Sequence, residues 1–373
     1  MNICVIGGGN MGTLISAELS LAKKNNICLL ASKAHLFSTE IIIDDWNDNT
    51  QKKAHIDLIT ADKQKALGNA DLILITVPAN ALLKLAEDIY PYVQKNTIIG
   101  MIPGSGGTEF ILSKFRQKGC IIFGMQRVHS LGRVKEYGKI VMNKSRKPKI
   151  DIAVLPKEKS QETSKLLSNL FQMPCDSLPN FLNITFTPSN QILHTSRLYH
   201  LFNDYYEGKT YNRQSYFYKE WDDESSITLL NCDKEVQSIC KKLPEFDLSG
   251  VKSLLTHYEV KNYKEMTYKL SHIPAFQISL TPMLKIGDGK YIPDKNHRYF
   301  TNDFPYGLCI IKGFAEILKI KTPTIDKILK WYEKFASVEY FVNGEFKGKD
   351  LIKTGIPQNF GITTHNDVIN FYK

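Results

Sequence analysis

Six residues near the start of the chain restrict its fold more than any other feature. Gly7-Gly8-Gly9-Asn10-Met11-Gly12 follows the apolar run Ile3-Cys4-Val5-Ile6 and leads into Leu14, Ile15, Leu19 and Leu21, which recur at near-helical spacing. The pattern G-x-G-x-x-G is weak alone, but between a strand and a helix it is specific for a dinucleotide-binding turn. There Gly7 permits the tight turn, Gly9 lets the backbone approach a pyrophosphate, and Gly12 allows close helix–sheet packing. Free N–H groups where the helix starts, at Asn10 and Met11, then face the phosphates.

Short β-branched runs at residues 2–6, 27–31, 72–77, 97–101, 121–125 and 152–155, with a late run at 183–186, alternate with helical stretches such as 12–23. That alternation predicts an α/β fold with an N-terminal Rossmann-like, doubly wound parallel sheet. From Ser189 onward long amphipathic stretches take over, at 190–202, 226–240, 248–257, 306–318 and 324–335, and predict a mainly α-helical second domain. A chain of 373 residues exceeds what one core usually serves. The division is expected at Pro188-Ser189, with 1–188 as a dinucleotide-binding domain and 189–373 as a substrate and catalytic domain. Proline would end the preceding strand and serine would cap the helix that follows. The chain's end should hold glycine-containing turns and a short helix capped near Asn366.

Composition acts mainly by exclusion. No apolar run approaches the roughly 20 residues of a membrane helix, and the opening residues lack an export-signal pattern, so a cytoplasmic protein is expected. Seven scattered cysteines, without C-x-x-C or Cys/His ligand spacing, read as buried thiols and not as a metal site. The net charge of +10 suits anionic partners. Its densest cluster, seven Lys and Arg within 133–149, alternates with Val134, Ile140 and Val141 like a strand and turn with a solvated face. No nucleic-acid-binding motif accompanies it, and neither nucleic acid nor membrane is expected as a partner.

NAD-specific sites usually place Asp or Glu about 20 residues past the glycine motif, on the ribose 2′-OH. Here that position reads Ala31-Ser32-Lys33, without a carboxylate. A hydroxyl and a lysine suit the 2′-phosphate of NADPH, so NADPH is favoured over NADH. Thr76-Val77-Pro78-Ala79 closes another strand at the ligand-binding edge; Pro78 is read as shaping a loop beside the nicotinamide ribose, or simply as ending the strand.

The hydride acceptor must be read from the second half. In Pro188-Ser189-Asn190-Gln191-Ile192-Leu193-His194, Asn190 and His194 stand four apart and share a helix face. Arg298-Tyr299-Phe300-Thr301-Asn302-Asp303-Phe304-Pro305-Tyr306-Gly307-Leu308 is dense in polar and aromatic groups. With the glycine motif, these segments resemble the octopine/nopaline (opine) dehydrogenase family, in which N-x-x-x-H and R-Y-x-x-x-D-x-P-Y-G-L segments flank the active site. Pro103-Gly104-Ser105-Gly106-Gly107, Gln126 and Arg133 extend the resemblance over nearly the whole chain.

The resemblance implies a second domain of the 6-phosphogluconate dehydrogenase C-terminal-like kind. It also implies reductive condensation of an amino acid with a 2-oxo acid, through imine reduction by hydride from NAD(P)H. His194 would be the catalytic acid/base, Asp303 its orienting carboxylate, Arg298 a clamp for a substrate carboxylate, and Asn190 a supporting hydrogen-bonding group. Imidazole titrates nearest neutrality, a carboxylate holds one tautomer, and guanidinium fits a carboxylate bidentately. Thr195 stands where the family often has proline and Asn302 where it often has glutamate, so no particular substrate preference carries over. A homodimer is left open.

Each role has a structural rival. His194 could be a satisfied helix residue, Asp303 a cap for the helix starting near Pro305, and Arg298 an ordinary ion pair; Tyr216, Tyr218 and Trp221 read as packing, and His200 and His297 carry no assigned role. Two rival functions share the plan. One is an oxo-acid reductase resembling ketopantoate reductase, whose lysine-centred pattern is not apparent here; the other is a non-catalytic NADPH sensor, against which the joint presence of His, Asp and Arg argues.

Overall fold

A parallel strand covered on both faces is apolar on both faces, and β1 (Asn2–Ile6) is such a strand, with Ile3, Cys4, Val5 and Ile6 all buried. In the computed structural model, which describes residues 1–373, β1 belongs to the first of two compact units, Met1–Thr185. After it come β2 (Asn26–Leu30), β3 (Glu40–Asp45), β4 (Thr50–His55), β5 (Leu58–Thr60), β6 (Leu72–Ile75) and β7 (Ile98–Met101). The unit continues with β8 (Ile121–Met125), β9 (Ser130–Glu136), β10 (Ile140–Arg146), β11 (Ile150–Leu155) and β12 (Cys175–Ser177). Eight strands form one sheet in the order β12-β11-β8-β7-β6-β1-β2-β5, parallel except that β11 runs antiparallel to β8. The order reverses at β1, so the glycine turn lies at the switch point where open α/β sheets bind ligands.

A second sheet, β4-β3-β10-β9, was not foreseen. The helix Asn10–Leu21 packs against strands of both sheets and buries every residue from Gly12 to Ala17, together with Leu19 and Ser20. Burial all round explains its weak apolar stripe. The basic stretch is the β9–β10 hairpin and its exit, where Lys135 pairs with Asp44, Lys139 with Glu136, Arg146 with Glu18, and Lys149 with both Asp151 and Asp176.

Residues 183–186 are not a strand. Leu182–Thr185 is a short helix, because Phe181 and Ile184 pack on the bare backbone of Gly124 and the Thr185 hydroxyl donates to the buried Glu109 carboxylate. Packing here overrides the β-preference of Ile-Thr. The unit boundary falls between Thr185 and Phe186 instead of after Pro188, since the Phe186 ring packs edge-on to Phe314, centroids 4.8 Å apart.

The second unit, Phe186–Lys373, is carried by helices Asn190–Phe202, Asp223–Lys241, Tyr263–His272, Cys309–Ile317, Pro323–Ala336 and His365–Tyr372, with a small hairpin of β13 (Met283–Lys285) and β14 (Tyr291–Pro293). Ser189 takes the N-cap position of the first helix, but its side chain makes no capping bond. The stretch 248–257 yields only Leu254–Tyr258, and the last helix is capped by Thr364 in a reciprocal box with Asp367, not by Asn366. No helix is long and apolar enough to cross a membrane.

An aromatic core positions the segment around Asp303. Phe304 stacks on Tyr332 at 3.9 Å and Phe300 on Phe335 at 4.8 Å, and the Tyr332 hydroxyl donates to the Phe300 carbonyl at 2.9 Å. Such ring pairs contribute about 0.5–1.5 kcal/mol each beyond their buried area. The Pro323–Ala336 helix that supplies Tyr332 and Phe335 is capped from a neighbouring helix, where Glu235 accepts from the Thr324 and Ile325 N–H groups at 2.7 and 3.0 Å.

Candidate active site

The three motif glycines answer to different constraints. Gly7 has φ +114°, in the region that favours glycine, and a Cβ on Gly12 would lie 1.7 Å from the Gly7 carbonyl oxygen. Both are demanded by the chain's own packing. A Cβ on Gly9 would meet nothing within 4 Å, so no neighbour in the chain accounts for glycine there, and the space suits a ligand pressed against the backbone. The helix that starts here has no side-chain cap and no acidic residue in its first turn, leaving N–H donors and the positive end of its dipole for an anion.

The Asn10 amide oxygen accepts from the Val134 N–H at 2.8 Å, and Met11 packs against the core; both offer the site their backbone N–H groups. Thr76, noted from sequence only as a strand end, closes the turn by donating its hydroxyl to the Ile6 carbonyl at 2.9 Å. Ser32 and Lys33 are exposed just past β2. Pro78, also exposed, is the N-cap residue of the helix Ala79–Ile89.

In the helical unit the sequence-predicted pair comes together. The carboxylate Oδ2 of Asp303 lies 2.7 Å from Nδ1 of His194, and both residues are buried, at 7% and 3% exposure. A close backbone approach creates the pairing: a Cβ on Gly307 would meet the Cβ of Gln191 at 2.6 Å, so glycine lets the Asp303 segment lie against the helix carrying His194. Between them the backbone makes a widened turn, Phe304–Leu308, in which the Leu308 N–H reaches the Asp303 carbonyl at 2.8 Å. Widened turns of this kind are frequent at functional sites. Asp303 stands at the N-cap position without capping, which removes its structural rival.

The imidazole is enclosed on its remaining sides. Tyr299 stacks on it at 3.7 Å, Phe217 meets it edge-on at 5.6 Å, and the Tyr218 hydroxyl lies 2.8 Å from Nε2. Asn302 donates to Oδ1 of Asp303 at 3.2 Å. Arg298 is exposed and forms no ion pair; its guanidinium lies 5.6 Å from the Tyr299 ring centre. Asn190, one turn before His194, is exposed and forms no side-chain hydrogen bond. Burial, followed by the neighbouring Arg298 charge, holds His297 below the usual histidine range.

Two family models match the chain. The model for the NAD/NADP octopine/nopaline dehydrogenase alpha-helical domain covers residues 177–336, and that for ketopantoate reductase PanE/ApbA covers 3–153. Opine dehydrogenase of Haliotis discus hannai is 28% identical, with 99% of this chain and 98% of that protein aligned. Tauropine dehydrogenase of Arabella iricolor is 27% identical over 98% of this chain and 99% of that protein. The chain is thus similar to opine dehydrogenases along nearly its whole length. The fold is similar as well: octopine dehydrogenase solved with NADH and pyruvate superposes with a TM-score of 0.86 at 25% identity, covering 100% of this chain and 98% of that one. A ketopantoate reductase from Ralstonia eutropha JMP134 superposes less closely, at TM-score 0.60 and 11% identity, covering 90% of this chain and 99% of that one.

The packing role read for Tyr218 needs correction, since its hydroxyl is the hydrogen-bond partner of Nε2. Arg197, which sequence reasoning passed over, explains how Tyr218 arrives there. Buried on the same helix as His194, it donates to the Phe217 carbonyl at 3.2 Å and the Ser225 hydroxyl at 3.1 Å, and it pairs with Asp222. No sequence signal marked it, because Arg197 stands among His194, Thr195 and Ser196 and reads as part of a polar helix face.

Proposed function

We propose that this chain is an NAD(P)H-dependent opine dehydrogenase, an oxidoreductase acting on a CH–NH bond, which condenses an amino acid with a 2-oxo acid and reduces the resulting imine. The observation that carries the reading is the buried His194–Asp303 pair beside an arginine without an ion pair, in a chain similar to opine dehydrogenases. The glycine turn and the helix start at Asn10 would hold the cofactor's pyrophosphate, an assignment supported by the open space at Gly9. When bound, the reduced nicotinamide supplies the hydride.

The remaining work falls to side chains. Condensation expels the oxo oxygen as water, which needs a proton, and protonated His194 is the group suited to give it. Asp303 keeps the proton of the neutral ring on Nδ1 and stabilises the imidazolium. Arg298, with all its donors available, fixes a substrate carboxylate, and Asn190 adds a hydrogen bond near it. Arg298→Lys is expected to raise the KM for the 2-oxo acid about tenfold to a hundredfold, the worth of a bidentate charge-assisted contact, with the KM for cofactor unchanged in initial-rate assays. An unaltered oxo-acid KM removes the clamp.

For the cofactor we favour NADPH. Lys33 is exposed and unpaired beside Ser32 where a carboxylate would otherwise select NADH. Among the relatives both occur, octopine dehydrogenase having been solved with NADH and yersinopine dehydrogenase with NADP+. Lys33→Ala is expected to lower the ratio of kcat/KM for NADPH over NADH by about tenfold, one charge-assisted bond; an unchanged ratio would remove Lys33 from the site. The seven free thiols suit work in a reducing cytoplasm.

The deciding experiment is a matrix of amino acids against 2-oxo acids, read by nicotinamide absorbance with both cofactors. Oxidation that needs both substrates together is the expected result. Turnover of an oxo acid alone would favour the reductase alternative, which the PanE/ApbA match over 3–153 supports only for the nucleotide-binding half.

A further inference from the structure

An imidazole that exchanges protons needs both nitrogens controlled. Asp303 holds Nδ1 at 2.7 Å, and the group on Nε2 is the Tyr218 hydroxyl at 2.8 Å. We infer that Tyr218 is a positioning residue for the proton chemistry of His194, holding Nε2 in both protonation states of the substrate-free ring and giving up that contact when the substrate oxygen takes the Nε2 proton. The inference rests on the acid/base reading of His194 and deepens it.

The chemistry of the three groups leads there. An ionised carboxylate only accepts, so the proton of the neutral ring sits on Nδ1 and the lone pair lies at Nε2. The phenol donates into that lone pair; when the ring is protonated, Nε2–H donates and the phenol oxygen accepts. A hydroxyl serves both states, whereas an amide or ammonium fixed in one orientation serves one. Burial, with the neighbouring Tyr299 second, pushes the Tyr218 phenol well above its ordinary range, so it stays a neutral O–H.

Tyr218 is also held still. Its ring lies parallel to Phe276 at 4.3 Å and to Trp221 at 6.0 Å. Its carbonyl accepts from the Trp221 N–H at 2.9 Å, and Arg197 grips the preceding carbonyl. The charged and titratable groups around the imidazole are Asp303, Arg298, His297 and Tyr299 from one segment and Tyr218 from the other, while Arg197 on the histidine's own helix is matched by Asp222.

Removing the hydroxyl leaves Nε2 buried without a partner. The protonated ring loses more than the neutral one, because hydrogen bonds from charged groups are about twice as strong. In the condensing direction, where the ring must give a proton, activity should therefore fail at lower pH. Tyr218→Phe keeps the stacking and is expected to lower kcat about tenfold to a hundredfold, to leave the KM for NAD(P)H unchanged, and to move the alkaline limb of the kcat profile to lower pH. In ring-15N spectra of the substrate-free protein, taken where the ring is neutral, the Nε2 signal should move toward the position of a free lone pair while Nδ1 stays. 3,5-Difluorotyrosine at 218, nearly isosteric and a stronger donor, should move Nε2 the opposite way, which covers any folding defect of the phenylalanine variant. An Nε2 signal that ignores both replacements, or a kcat profile with an unmoved alkaline limb, overturns the inference. The spectra need no turnover, so an inactive wild type would sink the condensation reading while Tyr218 is still decided.

Discussion

His194→Ala is expected to lower kcat for condensation by about 10²–10⁴-fold, the usual contribution of a positioned acid/base, while the KM for NAD(P)H stays within error. The split follows from location. His194 lies in the helical unit, bonded to Asp303 and Tyr218, whereas the glycine turn belongs to Met1–Thr185. Alanine also leaves the Asp303 carboxylate buried without its ring partner, which costs stability, so the melting temperature must be read beside the rate. A variant that melts like wild type and turns over at the wild-type rate would remove the dyad from the mechanism. A rate loss recovered on cooling would assign His194 a structural part only.

The glycine motif offers a second large effect, in which two substitutions must behave differently. Gly12→Ala puts a methyl 1.7 Å from the Gly7 carbonyl oxygen and 2.7 Å from the Thr76 hydroxyl. Backbone stands in the way, so the helix start or the turn must move. Overpacking of this kind costs about 1–3 kcal/mol or more, and a displaced helix start also loses the anion-facing N–H groups. Lower thermal stability together with loss of cofactor binding is the expected outcome. Gly9→Ala meets nothing within 4 Å in the chain and should melt like wild type, yet lose affinity for NAD(P)H in a fluorescence titration. Full affinity in the Gly9 variant would mean that the pyrophosphate does not lie on this turn.

Six of the eight strands of the main sheet were legible from sequence because burial makes them continuous apolar runs, as in β1, β6 and β8; the short edge strands β5 and β12 bury no residue and were missed. The second sheet was not, because β4 buries only Ala54 among its six residues and so carries no alternating signal. The helix at Leu182–Thr185 was misread because its local preference is β and its conformation is set by Gly124 and Glu109, distant in sequence. In the candidate site, His194, Asp303, Arg298 and Asn190 were recognised through a motif. Tyr218 carries no motif, and its stretch of aromatics looks like ordinary core.

Local spacing in the chain was enough to establish the glycine turn, the helix Asn190–Phe202 and the placing of Asn190 and His194 four residues apart on it, because turns and helices are decided by interactions among near neighbours. Which groups meet the imidazole was decided only by the tertiary fold. Asp303 is 109 residues from His194 and Tyr218 is 24 away, and both reach the ring through contacts with no local periodicity: the bare backbone of Gly307 against Gln191, the stacked aromatics around Phe304, and the grip of Arg197 on the Phe217 carbonyl.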